Sequence, residues 1–171
     1  MDEPLDNNQI TMQQINFQTT IEVIEHYNDL PEKDAELCQS AIDAKQGSYS
    51  IYSKFRVGSA VLMENGEIIS GSNQENAVYP LTLCAERVAI FAASHQFPDV
   101  AFRKIAVATS MEEAPNELPA FPCGSCRQSI REQEVRYDNS IEVLVIGNDG
   151  KVFRMSSVKE ILPFSFDKSA L

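Results

Sequence analysis

Three cysteines constrain the fold of this chain more than any other feature of its sequence. Cys84 stands at the start of a predicted helix over residues 84–94, and Cys123 and Cys126 stand at the start of another over 125–134. The unpaired N–H groups and positive dipole end of a helix N-terminus stabilise thiolates, the form of cysteine that binds metals. Three thiolates suit tetrahedral zinc and leave its fourth position for water, which is typical of a catalytic site. The fold must therefore bring two helix N-termini to one metal ion.

The pair Cys123 and Cys126 has other interpretations when it is taken alone. A C-x-x-C spacing also occurs in redox pairs and in one half of a structural zinc site. The chain has only four cysteines, and the fourth, Cys38, lies on the apolar face of a predicted helix, where a cysteine is typically a small buried residue. The histidines, His26 and His95, have no ligand spacing. The partnership with Cys84 is what favours a catalytic metal site.

The other predicted elements alternate between helix and strand, which is typical of α/β layers. The pair Asn65-Gly66 supplies both positive-φ positions of a type I′ hairpin turn, and Asn148-Asp149-Gly150 gives a second such signal. The predicted elements are a helix over 31–44, strands over 57–63, 68–72, 104–109 and 141–146, a loop over 110–122, and a short C-terminal helix over 158–166 broken at Pro163.

A polar, acidic segment precedes the first of these helices. Residues 1–36 hold nine acids and one base, and so carry most of the net charge of −11. We interpret 1–30 as an N-terminal extension, with a candidate edge strand in the β-branched run 15–24, and 31–171 as one catalytic domain.

The charge distribution and the start of the chain also limit its partners. No basic run is present to neutralise phosphates, so a nucleic-acid partner is disfavoured and a small substrate is expected. The first residues include no basic or apolar targeting segment, and no run of eighteen apolar residues occurs. We therefore expect a cytoplasmic protein without a membrane partner.

On these residues the chain resembles the cytidine deaminase family, in its homotetrameric, zinc-dependent, free-nucleoside form, across roughly residues 36–166. Five blocks appear in the family's order, namely Tyr52–Gly58, Gly71–Ala77, Cys84–Arg87, Pro122–Gln128 and Leu162–Phe166. The resemblance implies an α/β fold with three αβα layers around a central mixed five-stranded sheet. It also implies one Zn²⁺ per subunit and hydrolysis of cytidine or deoxycytidine to uridine or deoxyuridine and ammonia, in pyrimidine salvage.

The resemblance assigns roles to the residues that follow the first cysteine. Glu86 would take a proton from the zinc-bound water, deliver it to N3 of the pyrimidine and later protonate the departing ammonia. Arg87 would hydrogen-bond the thiolates, whose three negative charges weaken the metal as a Lewis acid. The Ala85 N–H would bind the pyrimidine O2. Without the resemblance, Glu86 is compatible with simple stabilisation of a helix start, and Arg87 with a helix-surface arginine.

The resemblance also implies the substrate contacts. Asn73 and Glu75 would hold the ribose 3′-hydroxyl, and Phe55 would pack against the pyrimidine. Three further residues would reach a neighbouring subunit's site, which implies a homotetramer with shared sites: Ala77, Tyr79 and Phe166. Without the family, residues 73–76 are typical of a polar loop, and a lone phenylalanine is typical of a core.

Three other functions are open to a chain of this kind. A deaminase for another aminopyrimidine, such as a blasticidin-type nucleoside, has nearly the same zinc blocks, but Asn73 and Glu75 favour ribose. Deoxycytidylate deaminases usually have histidine where this chain has Cys84, and they need a phosphate-binding cluster. A non-catalytic zinc-binding interaction protein would not need Glu86. The chain also departs from the family at Ile51, where proline is usual, and at Pro80, where a small residue is commoner.

Overall fold

A mixed six-stranded sheet organises the protein, which we describe from a computed structural model of residues 13–111 and 119–171. The strands are β1 (Glu22–Ile24), β2 (Phe55–Met63), β3 (Ile68–Ser72), β4 (Phe102–Met111), β5 (Glu142–Ile146) and β6 (Val152–Met155), and the helices are α1 (Glu32–Ala44), α2 (Ala85–Gln96) and α3 (Gly124–Tyr137). Their spatial order is β1-β6-β5-β4-β2-β3. Only β4 and β5 pair in parallel among these strands, and the other neighbours are antiparallel.

The helices cover both faces of the sheet, which confirms the predicted three αβα layers. Successive strand side chains point to opposite faces, and the central strands are buried on both. One face buries Val107 and Val145 with residues of α2 and α3, such as Ile90 and Ile130. The other buries Ala106 and its neighbours under α1. The two helices that carry the cysteines therefore share a face.

The predicted five-stranded sheet is one strand short. The four strands predicted by range correspond to β2–β5, and β6 follows the second turn signal at 148–150. The additional strand is β1, which lies in the candidate edge strand 15–24 and pairs antiparallel with β6 at the sheet edge. It occupies only three of the ten residues in the β-branched run 15–24. The acidic segment 1–12, and residues 112–118 of the predicted loop 110–122, lie outside the described residues.

The predicted type I′ turns are wrong. Gly66 has a φ of 88°, but Asn65 is not among the positive-φ residues of the described chain. The Asn65 carboxamide oxygen instead accepts from the Glu67 N–H at 3.2 Å, and the Gly66 N–H donates to the Met63 carbonyl at 3.0 Å. A turn followed by one glycine with positive φ is the three-residue hairpin loop with a bulge. Gly150, with a φ of 87°, closes the second hairpin in the same way.

The C-terminal segment contains less helix than predicted. Within 158–166 only one 3-10 turn forms, at Val158–Glu160, and a second follows at Lys168–Ala170. Between these turns, side chains of α3 bind the tail: Arg127 donates to the Ile161 carbonyl at 2.8 Å, and Gln128 donates to the Phe166 carbonyl at 2.6 Å. Pro163 has no N–H to donate and disfavours a helical conformation of the residue before it, so the helix predicted over 158–166 does not form.

No helix in the part of the chain that the structure describes is long and apolar enough to span a membrane.

The contact between α1 and β2 leads to a stability prediction. A methyl group at Gly58 would lie 2.1 Å from the Ala41 carbonyl oxygen and 2.6 Å from the Lys45 nitrogen, both backbone atoms. We expect Gly58→Ala to lower the free energy of unfolding by about 3 kcal/mol, since backbone cannot yield as a side chain can. Gly124→Ala is the control, because a methyl there meets nothing within 4 Å. Equal denaturation midpoints for the two variants would contradict this close approach.

Candidate metal centre and active site

The N-termini of α2 and α3 meet at three sulfur atoms. Cys84 and Cys123 are the N-cap residues of the two helices, and Cys126 lies in the first turn of α3. The Cys84 and Cys123 sulfurs are 3.9 Å apart, and those of Cys123 and Cys126 are 3.5 Å apart. Tetrahedral zinc with Zn–S bonds of about 2.3 Å requires sulfurs about 3.8 Å apart. The three cysteines therefore fit one zinc ion.

This cluster is the only group of three candidate metal ligands within residues 13–111 and 119–171. Its members differ in exposure: Cys126 is buried, Cys84 is partly buried and Cys123 is exposed. Cys38 is buried in the core beneath α1 and takes no part. Burial raises the pKa of Cys38 to about 12, so it remains a neutral thiol.

The surroundings of Cys84 favour its thiolate. The pKa of Cys84 is lowered to about 5, mainly by a hydrogen bond with Cys126 and further by the guanidinium of Arg87. Burial has the opposite effect but is weaker than these together. The same hydrogen bond, together with burial, raises the pKa of Cys126. Arg87 Nη2 lies 4.0 Å from the Cys84 sulfur and donates to the Thr82 carbonyl at 3.1 Å. Arg87 is thus a partly buried neighbour of the metal ligands.

Glu86 lies in the first turn of α2, beside Cys84. Its side chain is 4% exposed, and burial raises the pKa of its carboxyl group. A carboxyl group of raised pKa next to a metal site can hold and release a proton near neutral pH.

A cavity of about 240 Å³ opens over the sulfurs and Glu86. It brings together six of the residues singled out in the sequence: Phe55, Asn73, Glu75, Cys84, Glu86 and Cys123. A larger concavity of about 450 Å³ lies around Arg131 and Lys159, shares no residue with the first, and contains none of the cysteines. The smaller cavity is the candidate site because metal-binding cysteines and a buried carboxyl group line it.

Other residues predicted for the site lie elsewhere or contribute only backbone. Ala85 is fully buried, but its N–H belongs to the first turn of α2, where N–H groups have no partner within the helix. Ala77, Tyr79 and Phe166 do not line the cavity of their own chain. They are exposed instead, with Tyr79 at 67% and Phe166 at 60%.

The cavity also contains residues that the sequence did not indicate. Val107 and Thr109 of β4 form part of its lining, together with Thr82 and Phe121. Phe121 lies two residues before Cys123, so its closeness to the cysteine motif in the sequence could have indicated a place in the site. The β4 residues join the site only through sheet pairing, which no local pattern specifies.

Comparison with known proteins gives a consistent result. A family model for the cytidine and deoxycytidylate deaminase zinc-binding region matches residues 31–137. A cytidine deaminase of Halalkalibacterium halodurans is 39% identical over 130 residues, which cover 76% of this chain and 91% of the relative. A blasticidin-S deaminase of Bacillus cereus is 26% identical over 155 residues, covering 82% and 97%.

A solved structure agrees with these sequence relationships. The crystal structure of a cytidine deaminase from Burkholderia pseudomallei superposes with a TM-score of 0.63 at 33% identity. The match covers 77% of this chain and 97% of that one.

The sulfur geometry predicts the metal content. We expect one zinc per chain in the purified wild type, and a zinc affinity lowered by more than roughly 100-fold in Cys126→Ala, since even residues that only orient ligands contribute about 10- to 100-fold. Cys38→Ala is the control, because it removes a buried cysteine outside the cluster. Elemental analysis after dialysis against a weak chelator measures this. Full zinc content in Cys126→Ala would show that the three sulfurs are not the ligands.

Proposed function

The chain belongs to the cytidine deaminase family, and on that premise we propose that it hydrolyses free cytidine and deoxycytidine to uridine and deoxyuridine with release of ammonia. The observation that carries this proposal is the buried carboxyl group of Glu86 beside three sulfurs in zinc geometry, at a small cavity that Glu86, Cys84 and Cys123 line. A structural zinc site would have a fourth protein ligand, and among the described residues the cluster has three.

The charges of the cavity support a nucleoside rather than a nucleotide as substrate. None of the described residues that line it is a lysine or arginine, whereas Glu75 and Glu86 are both acidic. A phosphate group would meet uncompensated negative charge there. Arg87 is close, but its guanidinium faces the Cys84 sulfur and the Thr82 carbonyl. This arrangement favours an uncharged sugar hydroxyl over a phosphate.

Each residue around the sulfurs has a proposed task in the reaction. Zinc, when bound, lowers the pKa of a water molecule towards about 7 and so supplies the nucleophile. Glu86 accepts a proton from the attacking water and delivers it to N3 of the pyrimidine. It then accepts the proton of the hydroxyl group added at C4 and delivers it to the leaving amine. The N–H of Ala85 binds the pyrimidine O2, and Arg87 offsets the charge of the three thiolates. This proposal is supported by the burial of Glu86 and the lowered pKa of Cys84.

We propose that the remaining lining residues bind the nucleoside. Phe55 packs against the base, and Asn73 and Glu75 contact the ribose 3′-hydroxyl. That hydroxyl is blocked in a polynucleotide, so the substrate is a free nucleoside and nucleic acid is not a partner. The reaction then serves pyrimidine salvage in the cytoplasm.

We propose a homotetramer in which neighbouring subunits complete each site. The exposed positions of Ala77, Tyr79 and Phe166 support this, because these residues do not line the cavity of their own chain. Further exposed apolar side chains lie in the same two segments and in the loop before β2: Tyr49, Ile51, Tyr52, Val78, Leu81 and Phe164. Exposed apolar residues in such number are typical of an interaction surface.

The domain boundaries are part of the same proposal, with residues 31–171 as the catalytic domain and 1–30 as an extension. Strand β1 covers the β6 edge, and Glu22 pairs with Arg154 of β6 at 2.7 Å. Thr20 donates its N–H to the Glu160 carboxylate at 3.2 Å. We propose that the extension caps a sheet edge, which would otherwise offer unpaired backbone groups to other chains.

The proposed reaction is tested with Glu86→Gln. We expect zinc-loaded wild type to deaminate cytidine and deoxycytidine, and the equally loaded variant to lose about 10²- to 10⁴-fold in kcat, because the amide cannot carry the proton. Glu67→Gln, an exposed carboxylate on the hairpin, is the control and should retain full activity. The measurements are cytosine absorbance, ammonia and zinc content. If zinc-loaded wild type is inert on both nucleosides but deaminates blasticidin S, the substrate assignment is wrong and the reaction class holds.

The shared site is tested with Phe166→Ala. Loss of one aromatic contact of about 1.4 kcal/mol should raise KM by about 10-fold. Phe166→Ala and Glu86→Gln subunits can be co-expressed with different tags, and mixed oligomers purified through both tags. Some sites in these oligomers should regain activity, because they combine Glu86 of one subunit with Phe166 of another. Activity equal to the average of the two separate variants would instead place Phe166 in its own subunit's site.

A further inference from the structure

The segment that carries Phe55 into the cavity has an unusual backbone. Lys54, immediately before Phe55, has a φ of 58°, in the left-handed region that non-glycine residues rarely adopt. The segment from Tyr52 to Phe55 is not helix, and β2 begins only at Phe55. A short loop with one residue in a disfavoured conformation needs other contacts to hold it.

Glu75 supplies one set of these contacts. Its carboxylate accepts hydrogen bonds from the Tyr52 N–H at 2.8 Å and from the Ser53 N–H at 3.3 Å. Hydrogen bonds from Ser53 and Tyr52 lower the pKa of Glu75, so the group remains a charged acceptor. The Glu75 N–H in turn donates to the Tyr49 carbonyl at 2.8 Å. The residue thus binds the loop through both its side chain and its backbone.

Asn73 supplies a second set, on the other side of Phe55. Its carboxamide oxygen accepts from the Val57 N–H at 2.9 Å and from the Ser48 hydroxyl, which uses both lone pairs. Its amide nitrogen donates to the Phe55 carbonyl at 2.9 Å, which uses one of two N–H groups. The side chain is 7% exposed. Only one hydrogen atom of this amide remains for a molecule in the cavity.

We propose that Asn73 and Glu75 are positioning residues that clamp residues 52–57 and hold Phe55 in the cavity before any substrate binds. Side-chain hydrogen bonds hold this segment on both sides of Phe55: the Tyr52 and Ser53 N–H groups donate to Glu75, the Val57 N–H donates to Asn73, and Asn73 donates to the Phe55 carbonyl. Preorganisation of this kind removes the cost of ordering the loop when a ligand arrives. The clamp is a second role for these residues, in addition to the sugar contact. Its effect on kinetics rests on the proposed function, whereas the hydrogen bonds do not.

Hydrogen exchange in the ligand-free, full-length protein tests the clamp directly. In Glu75→Ala, a peptide covering residues 50–57 should exchange at least 10-fold faster than in wild type, because the Tyr52 and Ser53 N–H groups lose their acceptor. Glu75→Gln keeps one acceptor oxygen and should give intermediate protection. Glu67→Ala, which removes an exposed carboxylate of the neighbouring hairpin, is the control and should leave the peptide unchanged. Unchanged exchange in Glu75→Ala overturns the proposal, whatever the enzyme does.

Kinetics with two substrates separate the clamp from the sugar contact. Deoxycytidine has the 3′-hydroxyl and 2′,3′-dideoxycytidine lacks it. A clamp predicts that Glu75→Ala lowers kcat/KM on both substrates, because Phe55 is displaced in each case. The factor should be larger on deoxycytidine, which also loses its contact with Glu75. A loss confined to deoxycytidine would mean that Glu75 acts through the hydroxyl alone and would overturn the proposal. If the wild type deaminates neither nucleoside, the proposed function fails and the exchange result alone decides the clamp.

Discussion

The meeting of two helix N-termini at three sulfur atoms is the constraint on which the rest of this structure depends. A tetrahedral ion tolerates only small errors in sulfur position, so α2 and α3 must be fixed on the sheet with comparable accuracy. Small residues make this possible for α2: Ala85, Ala89 and Ala93 are fully buried against the sheet. A methyl group at Gly71 of β3 would lie 2.6 Å from the Ala89 nitrogen. Close packing of this kind transmits the geometry of the sheet to the metal ligands.

The placement of Arg87 explains how one site can serve two electrostatic needs. Three thiolates give a bound zinc ion an excess of negative charge, and a neighbouring cation offsets it. Arg87 contacts the Cys84 sulfur from the side of the Thr82 carbonyl and is not among the residues that line the cavity. Its charge therefore acts on the ligands, and the described lining of the cavity contains no basic group. A neutral nucleoside and a sufficiently acidic metal are compatible because of this separation.

Short spacings at predicted helix starts indicate the cysteines, and the family resemblance indicates Glu86 and Arg87 beside them. The structure brings all five residues together. Backbone conformation was harder, because Asn65 satisfies a side-chain hydrogen bond with Glu67 that turn statistics do not reveal. The lining residue Thr109 arrives through the pairing of β2 with β4, opposite Val57. Contacts between distant segments leave no periodic signal in the chain.

Helix α3 connects the metal centre with the exposed surface. Cys126 on its first turn is buried at the cluster, while Gln128 and Arg131, further along the same helix, bind the C-terminal tail. Gln128 holds the Phe166 carbonyl at 2.6 Å, so the backbone of Phe166 is fixed although its ring is 60% exposed. An exposed aromatic ring on an anchored backbone loses little conformational entropy when another surface covers it. Helix α3 thus links Cys126 of the sulfur cluster to the anchored backbone of Phe166, the residue that we propose contacts a neighbouring subunit.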